Sequence, residues 1–271
     1  MPKADRFLPL GKISMVAWLQ KFYKYLPVRL QLLIQSSWIN FYFYVLYSFL
    51  ISKTQDFYSQ TGEDQLLRKY LPEANGSFVD VGAGQPVRGS NTYYFYKKGW
   101  SGTLIDPVEF NLRLTKLFRR RDKFIQNIVS SKNTPLKFYE FYPAEYSTIE
   151  KSVAESLVNR GIKLKSEIDL KPITLASLNL SCEPTDATLL SVDVEGHDLE
   201  VLQSNNWLGF KPRVICVEEN IQGNKQSGTK ISNYLIAYGY KFVESTDISS
   251  IYVHSDYLER SITFSTPSIS R

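Results

Sequence analysis

One short run constrains this chain more than any other: Ser77-Phe78-Val79-Asp80-Val81-Gly82-Ala83-Gly84. Its β-branched and aromatic residues favour a strand. The two glycines that follow let the backbone turn sharply and approach a ligand with no Cβ between them. The rest of the chain alternates in the way such a start predicts. Residues 63–71 place Leu66, Leu67, Tyr70 and Leu71 on one helical face, and Pro72 ends that helix. Residues 91–98 read as a helix closed by Gly99, 102–105 as a second strand, 108–121 as a helix and 124–129 as a third strand. Residues 136–142 alternate like a strand or hairpin arm, and 143–160 read as helical. Residues 187–194 are a nearly continuous apolar strand, as a sheet covered on both faces requires. A helix over 197–204, a strand over 212–217, a helix over 229–238 and a terminal antiparallel hairpin (241–243 with 250–253) complete the pattern. Strands alternating with helices predict an α/β fold with a doubly wound, mostly parallel sheet. Ligands of such sheets sit beyond the carboxyl ends of the strands. The polar residues expected there are Asp80, Asp106, Asp193, Glu195, Glu218, Glu219 and Asn220.

The glycine turn carries its own chemistry. Asp106 ends the second strand, 22 residues past Gly84, where a carboxylate can accept hydrogen bonds from a ribose diol. A pyrophosphate cofactor would want a third glycine three residues on, at the start of a helix. That position is Val87. Asp80, two residues before the first glycine, is a poor neighbour for a phosphate. It is a good one for a cofactor that carries an ammonium and a sulfonium. The residues therefore favour S-adenosylmethionine over a nicotinamide dinucleotide.

Five motifs occur in one order: Tyr58-Ser59-Gln60-Thr61-Gly62-Glu63-Asp64; Phe78 to Gly84; Ser90-Asn91-Thr92 with Gly99-Trp100-Ser101-Gly102; Ile105-Asp106-Pro107; and Asp193-Val194-Glu195-Gly196-His197-Asp198. Together they closely resemble the FkbM family of S-adenosylmethionine-dependent methyltransferases, over about residues 57–256. The resemblance implies a Rossmann-like class I methyltransferase fold: a mostly parallel seven-stranded sheet with a C-terminal antiparallel hairpin. It also implies O-methyl transfer to a hydroxyl of a sugar, glycan or related natural product. Asp80, Gly82 and Gly84 would line the methionine end of the cofactor. Asp106 would hold the ribose, in place of the family's usual Glu. Ser59, Gln60, Glu63 and Asp64 would close over the cofactor, with Asn91 beside it. Asn127 to Ser130 would flank the adenine.

Methyl transfer to a hydroxyl needs alignment and a group that takes the proton. Asp193, at the end of the fourth parallel strand, is the leading candidate as base, substrate anchor or metal ligand. His197 follows the same strand end and reads either as a base or as a helix cap. Glu195 is read as orienting a neighbour, and His254 as a surface residue of the hairpin. Asp193 with Glu219 and Asn220 is an all-oxygen set that would suit a divalent cation, although a metal is not the favoured reading. Tyr93, Tyr94, Phe95, Tyr96, Tyr139, Tyr142 and Tyr146 divide between core packing and an acceptor pocket.

Charge divides the chain. Residues 1–60 hold seven Lys/Arg and two Asp, while residues 61–271 hold 25 cations and 25 anions. A neutral body argues against nucleic acid as a partner. Arg119-Arg120-Arg121 reads as the last turn of a helix, where cations suit the dipole, or as a phosphate clamp. Cys182 and Cys216 read as buried thiols, too few for a disulfide framework. The expected organisation is a basic, aromatic helical extension over 1–56, a methyltransferase domain over 57–258 and a tail over 259–271. Residues 14–52 read as two helices broken near Pro27. The run Trp38 to Ile51 is fourteen residues, short of the ~20 a bilayer needs. Its Tyr and Trp suit a membrane interface, and equally a helix packed on the body. No secretory signal is evident, so the expected location is the cytoplasm, with peripheral contact to the inner membrane face. Three rival functions stay open: a metal-dependent small-molecule O-methyltransferase, a non-catalytic partner in a glycan-assembly complex and, more weakly, a dehydrogenase that binds NADH.

Overall fold

In the computed structural model the described residues are 38–219 and 229–259, the first three for their backbone alone. The elements in chain order are α1 (Trp38–Thr54), α2 (Glu63–Leu67), β1 (Ser77–Val81), α3 (Tyr93–Lys97), β2 (Ser101–Ile105), α4 (Glu109–Phe118), β3 (Lys123–Ile125), β4 (Leu136–Tyr142), α5 (Lys151–Asn159), β5 (Lys163–Leu170), β6 (Thr188–Val192), α6 (Asp198–Gln203), β7 (Val214–Glu218), α7 (Lys230–Ile236), β8 (Tyr240–Ser245) and β9 (Ser249–His254). Seven strands form one sheet in the order β3-β2-β1-β6-β7-β9-β8. β3, β2, β1, β6 and β7 run parallel. β9 lies antiparallel between β7 and β8. This is the α/β, class I methyltransferase architecture expected from the sequence, terminal hairpin included.

Alternation along each strand feeds two cores. Phe78, Leu189 and Val214 point to one face with Leu67, Phe95 and Trp100, while Val79, Leu190 and Ile215 point to the other with Val201, Leu202 and Leu235. The chain leaves β1 for β2 on one side and later returns as β6 on the other. That reversal opens a crevice at the carboxyl ends of β1 and β6, where such sheets bind ligands.

Four features depart from the sequence reading. The third strand stops at Ile125, because the chain then turns to pair Val129 with Ile173. β5 has no counterpart in the sequence reading. It pairs only with β4, outside the main sheet, and most of its side chains are exposed, so it lacks an apolar signature. Residues 143–160 carry a short 3-10 turn before α5 rather than one helix. His254 is buried rather than on the surface, because β9 is the inner strand of the hairpin. Its ring meets Tyr240 edge-on at 4.9 Å, and burial pushes its pKa below the ordinary histidine value.

α1 belongs to the body on one face. Tyr47 and Ile51 enter the first core, and Lys97 Nζ donates to the Ser52 carbonyl at 2.9 Å and to Tyr58 Oη at 2.7 Å. Its opposite face exposes Tyr42, Leu46 and Phe49, at helical spacing. Among the described residues no helix is long and apolar enough to cross a membrane. The first helix expected within 14–52 and the break near Pro27 lie outside the described residues, as does the tail beyond 259.

Candidate active site

The crevice is built on the glycine turn. Gly82 has φ 75°, and a Cβ there would lie 1.9 Å from the Asp193 carbonyl oxygen, so only glycine lets β1 and β6 close together at this point. Gly84 has φ 57°, and the nearest atom to a Cβ there would be the Gly82 carbonyl at 3.9 Å. Of the two glycines, Gly84 thus presents bare backbone with room beside it.

Asp80 lies beneath it, 3% exposed. Thr92 Oγ1 donates to Asp80 Oδ2 at 2.6 Å, and Ser191 donates a second bond. Burial pushes the Asp80 pKa above the usual carboxylate value, opposed by these bonds and by Arg119. Asp106 is also buried. It accepts from Gly84 N at 2.9 Å, Val108 N at 2.8 Å and Asn111 Nδ2 at 3.1 Å. A carboxylate offers about four lone-pair positions. Asp80 uses about two of them on Thr92 and Ser191. Asp106 has committed three to the glycine turn and the start of α4, so it serves the turn's shape before any ribose. Burial raises its pKa too, against those three bonds.

The other residues expected around a cofactor are placed as follows. Asp64 is buried and accepts from Tyr58 N at 3.0 Å and Ser59 Oγ at 2.7 Å, with Arg68 at 3.3 Å. Glu63 is buried and accepts from Thr61, from Thr246 Oγ1 at 2.9 Å and from Ser249 Oγ at 3.2 Å. These two acids pin residues 58–64 to the body and to the β8–β9 turn. Their hydrogen bonds hold the fold of that segment. Gln60 is half-buried beside Gly89. Asn91 donates to Ser191 Oγ at 3.2 Å, over the carboxyl half of β6. Ser130 is buried at the turn beyond β3, its amide donating to the Ile173 carbonyl at 3.0 Å.

A second group of acids closes the other side. Asp193, Glu195 and Glu218 bring carboxylate oxygens within 4.8 Å of one another. Burial, then the neighbouring carboxyl of Glu218, pushes the Asp193 pKa well above the ordinary value, with Glu195 and Asp198 adding to the shift. The nearby Glu218 carboxyl disfavours the charged form of Asp193, which makes Asp193 a better proton acceptor. Glu195 holds a left-handed φ of 54°, followed by Gly196 at 101°. Asp198 shapes this loop by accepting from Val194 N and Gly196 N, each at 3.1 Å, and burial raises its pKa to about 6. Such strain in a non-glycine residue is characteristic of functional loops.

The expected oxygen set of Asp193, Glu219 and Asn220 is corrected here. Glu219 turns inward, accepting from Thr229 Oγ1 at 2.6 Å and Tyr252 Oη at 2.8 Å. Asn220 lies outside the described residues. Glu218 takes the place of Glu219, since the two-residue period of β7 sends adjacent side chains to opposite faces. The three gathered carboxylates are a donor set a divalent cation could use. His197 precedes α6, but its ring caps nothing. Nε2 lies 2.8 Å from Glu150 and Nδ1 3.3 Å from Glu200, so neither nitrogen is free to take a substrate proton.

Sequence reasoning missed Arg119 as part of this site. The arginine cluster does follow α4, yet Arg119 is 1% exposed and ion-paired to Asp122 at 2.7 Å. Asp122, three residues on, was the available signal. Of the aromatics, Tyr93, Phe95, Tyr96 and Tyr139 are buried. Both cysteines are buried free thiols.

A family model described as the methyltransferase FkbM domain matches residues 80–242, more than half of the chain. A search of curated proteins finds none that matches.

Proposed function

The chain belongs to the FkbM methyltransferase family, and from that premise we propose an S-adenosylmethionine-dependent O-methyltransferase acting on a hydroxyl of a sugar, glycan or related natural product. The observation that carries the reading is the pairing of two unlike acid groups across one crevice. Asp80 is a hydrogen-bonded carboxylate beneath bare glycine backbone. Asp193 is crowded by Glu218 and ready to hold a proton.

The residues fit the cofactor's chemistry. Residues 80–87 carry no Lys or Arg to meet a phosphate, and Asp80 suits an ammonium. When bound, S-adenosylmethionine supplies a methyl group already activated by its sulfonium. Asp80, Gly82 and Gly84 would hold the methionine end, and any free valence of Asp106 would meet the ribose. Asp193 would take the acceptor's hydroxyl proton as its oxygen gains the methyl group, and Glu218 would share that proton. A base with a raised pKa suits this task near neutral pH.

The carboxylate trio favours one second reading, a metal-dependent small-molecule O-methyltransferase in which the cation polarises the hydroxyl. Loss of turnover with chelator would support it. The exposed Tyr42, Leu46 and Phe49 of α1, with the basic residues upstream, support peripheral contact with an anionic membrane.

The test is calorimetric titration of the full chain with S-adenosylhomocysteine, with NADH as control. Micromolar binding of the first alone is expected, and Asp80→Ala should abolish it while the melting transition persists. Binding unchanged in Asp80→Ala would remove Asp80 from the site.

A further inference from the structure

The network on the buried side of Asp80 has a direction. Arginine offers donors and no acceptor. Arg119 Nη1 lies 3.0 Å from Thr92 Oγ1 and 3.2 Å from Ser90 Oγ, so both hydroxyl oxygens accept from it. Thr92 has one hydroxyl proton, and it goes to Asp80 Oδ2 at 2.6 Å. Ser90 Oγ also accepts from the Tyr93 amide at 3.1 Å, which fixes the start of α3 around the same guanidinium. The charge of Arg119 thus reaches Asp80 through one oriented hydroxyl.

The Arg119 guanidinium lies over Phe78, Tyr96 and Tyr93, 5.0, 5.4 and 6.0 Å from the ring centroids, and those contacts offset part of its burial. The Arg119 and Asp122 side chains are fully buried, and Arg119 Nη2 is buried with no acceptor. Burying an ion pair costs desolvation that an apolar pair of similar volume avoids, and an unpaired donor adds to the cost. What the charge supplies is an oriented donor aimed at the acid under the glycine turn.

We propose that Arg119 and Thr92 are positioning residues that hold Asp80 as an oriented carboxylate for the ammonium group of the bound cofactor. This rests on the reading of Asp80 as the cofactor's anchor. Neither residue touches the ligand; both act through Asp80. The ionisable groups around Asp80 are Arg119 and Asp122 beyond α4, Asp106 at the end of β2, and Cys216 on β7. Of these only Arg119 is a cation. Burial raises the Asp80 pKa, while Thr92 and Arg119 lower it. Removing the Thr92 hydroxyl therefore moves Asp80's titration upward. A neutral Asp80 cannot pair with an ammonium, so ligand affinity should fall toward the acid end of the pH range and recover as pH rises.

The experiment compares the wild-type chain with Thr92→Val, Thr92→Ser and Ser90→Ala, with Thr92→Ala as the smaller substitute for valine. Two quantities are read. One is the ligand-free titration of Asp80, followed by 13C NMR of labelled aspartates and assigned with Asp80→Asn. The other is the Kd for S-adenosylhomocysteine from pH 6 to pH 9. Thr92→Val should raise the Asp80 titration and weaken binding most at the acid end of the range, with affinity recovering as pH rises. Thr92→Ser should restore both, and Ser90→Ala should leave the titration in place. An Asp80 titration unmoved in Thr92→Val and Thr92→Ala overturns the relay. A wild-type chain that binds no S-adenosylhomocysteine overturns the cofactor reading, and is told apart because the Asp80 titration still moves.

Discussion

The ends of β1 and β2 and the ends of β6 and β7 both present buried or half-buried acids, yet they solve the cost of burying charge in opposite ways. Asp80 and Asp106 are surrounded by donors: two hydroxyls for the first, two amides and an asparagine for the second. Asp193 is surrounded by other acids, Glu218 nearest in effect, then Glu195 and Asp198. Donors oppose the burial that raises both pKa values and hold the carboxylate in place, which suits a fixed cation. Acids facing acids favour keeping a proton, which suits a group that must gain one during turnover. In the proposed function the crevice would thus have a binding side and a proton-handling side, and the difference lies in the neighbours, since every member is Asp or Glu.

The hardest blow to that comparison is Asp193→Asn. Turnover should fall by ~10³-fold, the usual scale for a lost general base. The affinity for S-adenosylhomocysteine should stay within a factor of two or so of wild type, because the binding side is untouched. Near-normal turnover in steady-state assays with an accepted sugar would put the proton elsewhere and erase the distinction.

A smaller effect sharpens it through pH. Asp198 titrates near 6 in the folded chain, above its ordinary value of 3.8. A raised carboxylate contributes stability that is full below the ordinary value and is lost as pH rises through about 6. Between pH 4 and pH 6.5 the wild-type chain should therefore lose stability with rising pH more steeply than Asp198→Asn. Urea titrations at a series of pH values would measure the two slopes, and equal slopes would mean that burial does not raise Asp198.

The smallest expected effect lies outside the crevice. Leu46→Glu combined with Phe49→Glu changes only the exposed face of α1. Stability should move by no more than about 0.5 kcal/mol per site. Turnover on a water-soluble acceptor should be unchanged, and co-sedimentation with anionic vesicles should drop. A loss of turnover instead would tie α1 to the crevice.

Legibility in the sequence followed exposure and period. The parallel strands and their loops could be read because an apolar strand has a strong signature and glycine turns have few alternatives. β5 could not be read, because KLKSEIDL is mostly charged or polar and its partner is β4, outside the main sheet. Glu219 and Glu218 are neighbours in sequence and equally acidic. Only the pleat of β7 sends one to Tyr252 and the other to Asp193. His197 suited the role of a base until Glu150, 47 residues away, met its ring.

From the sequence alone came the α/β class, the glycine turn, the family and the acids at the strand ends, because these rest on local pattern and on residue types in a fixed order. The tertiary structure decided what surrounds each acid. A carboxylate's pKa and its open lone pairs depend on which donors, acids and solvent surround it, and residues from Thr92, Ser191, Glu218 and Arg119 reach their acids only after the sheet has assembled.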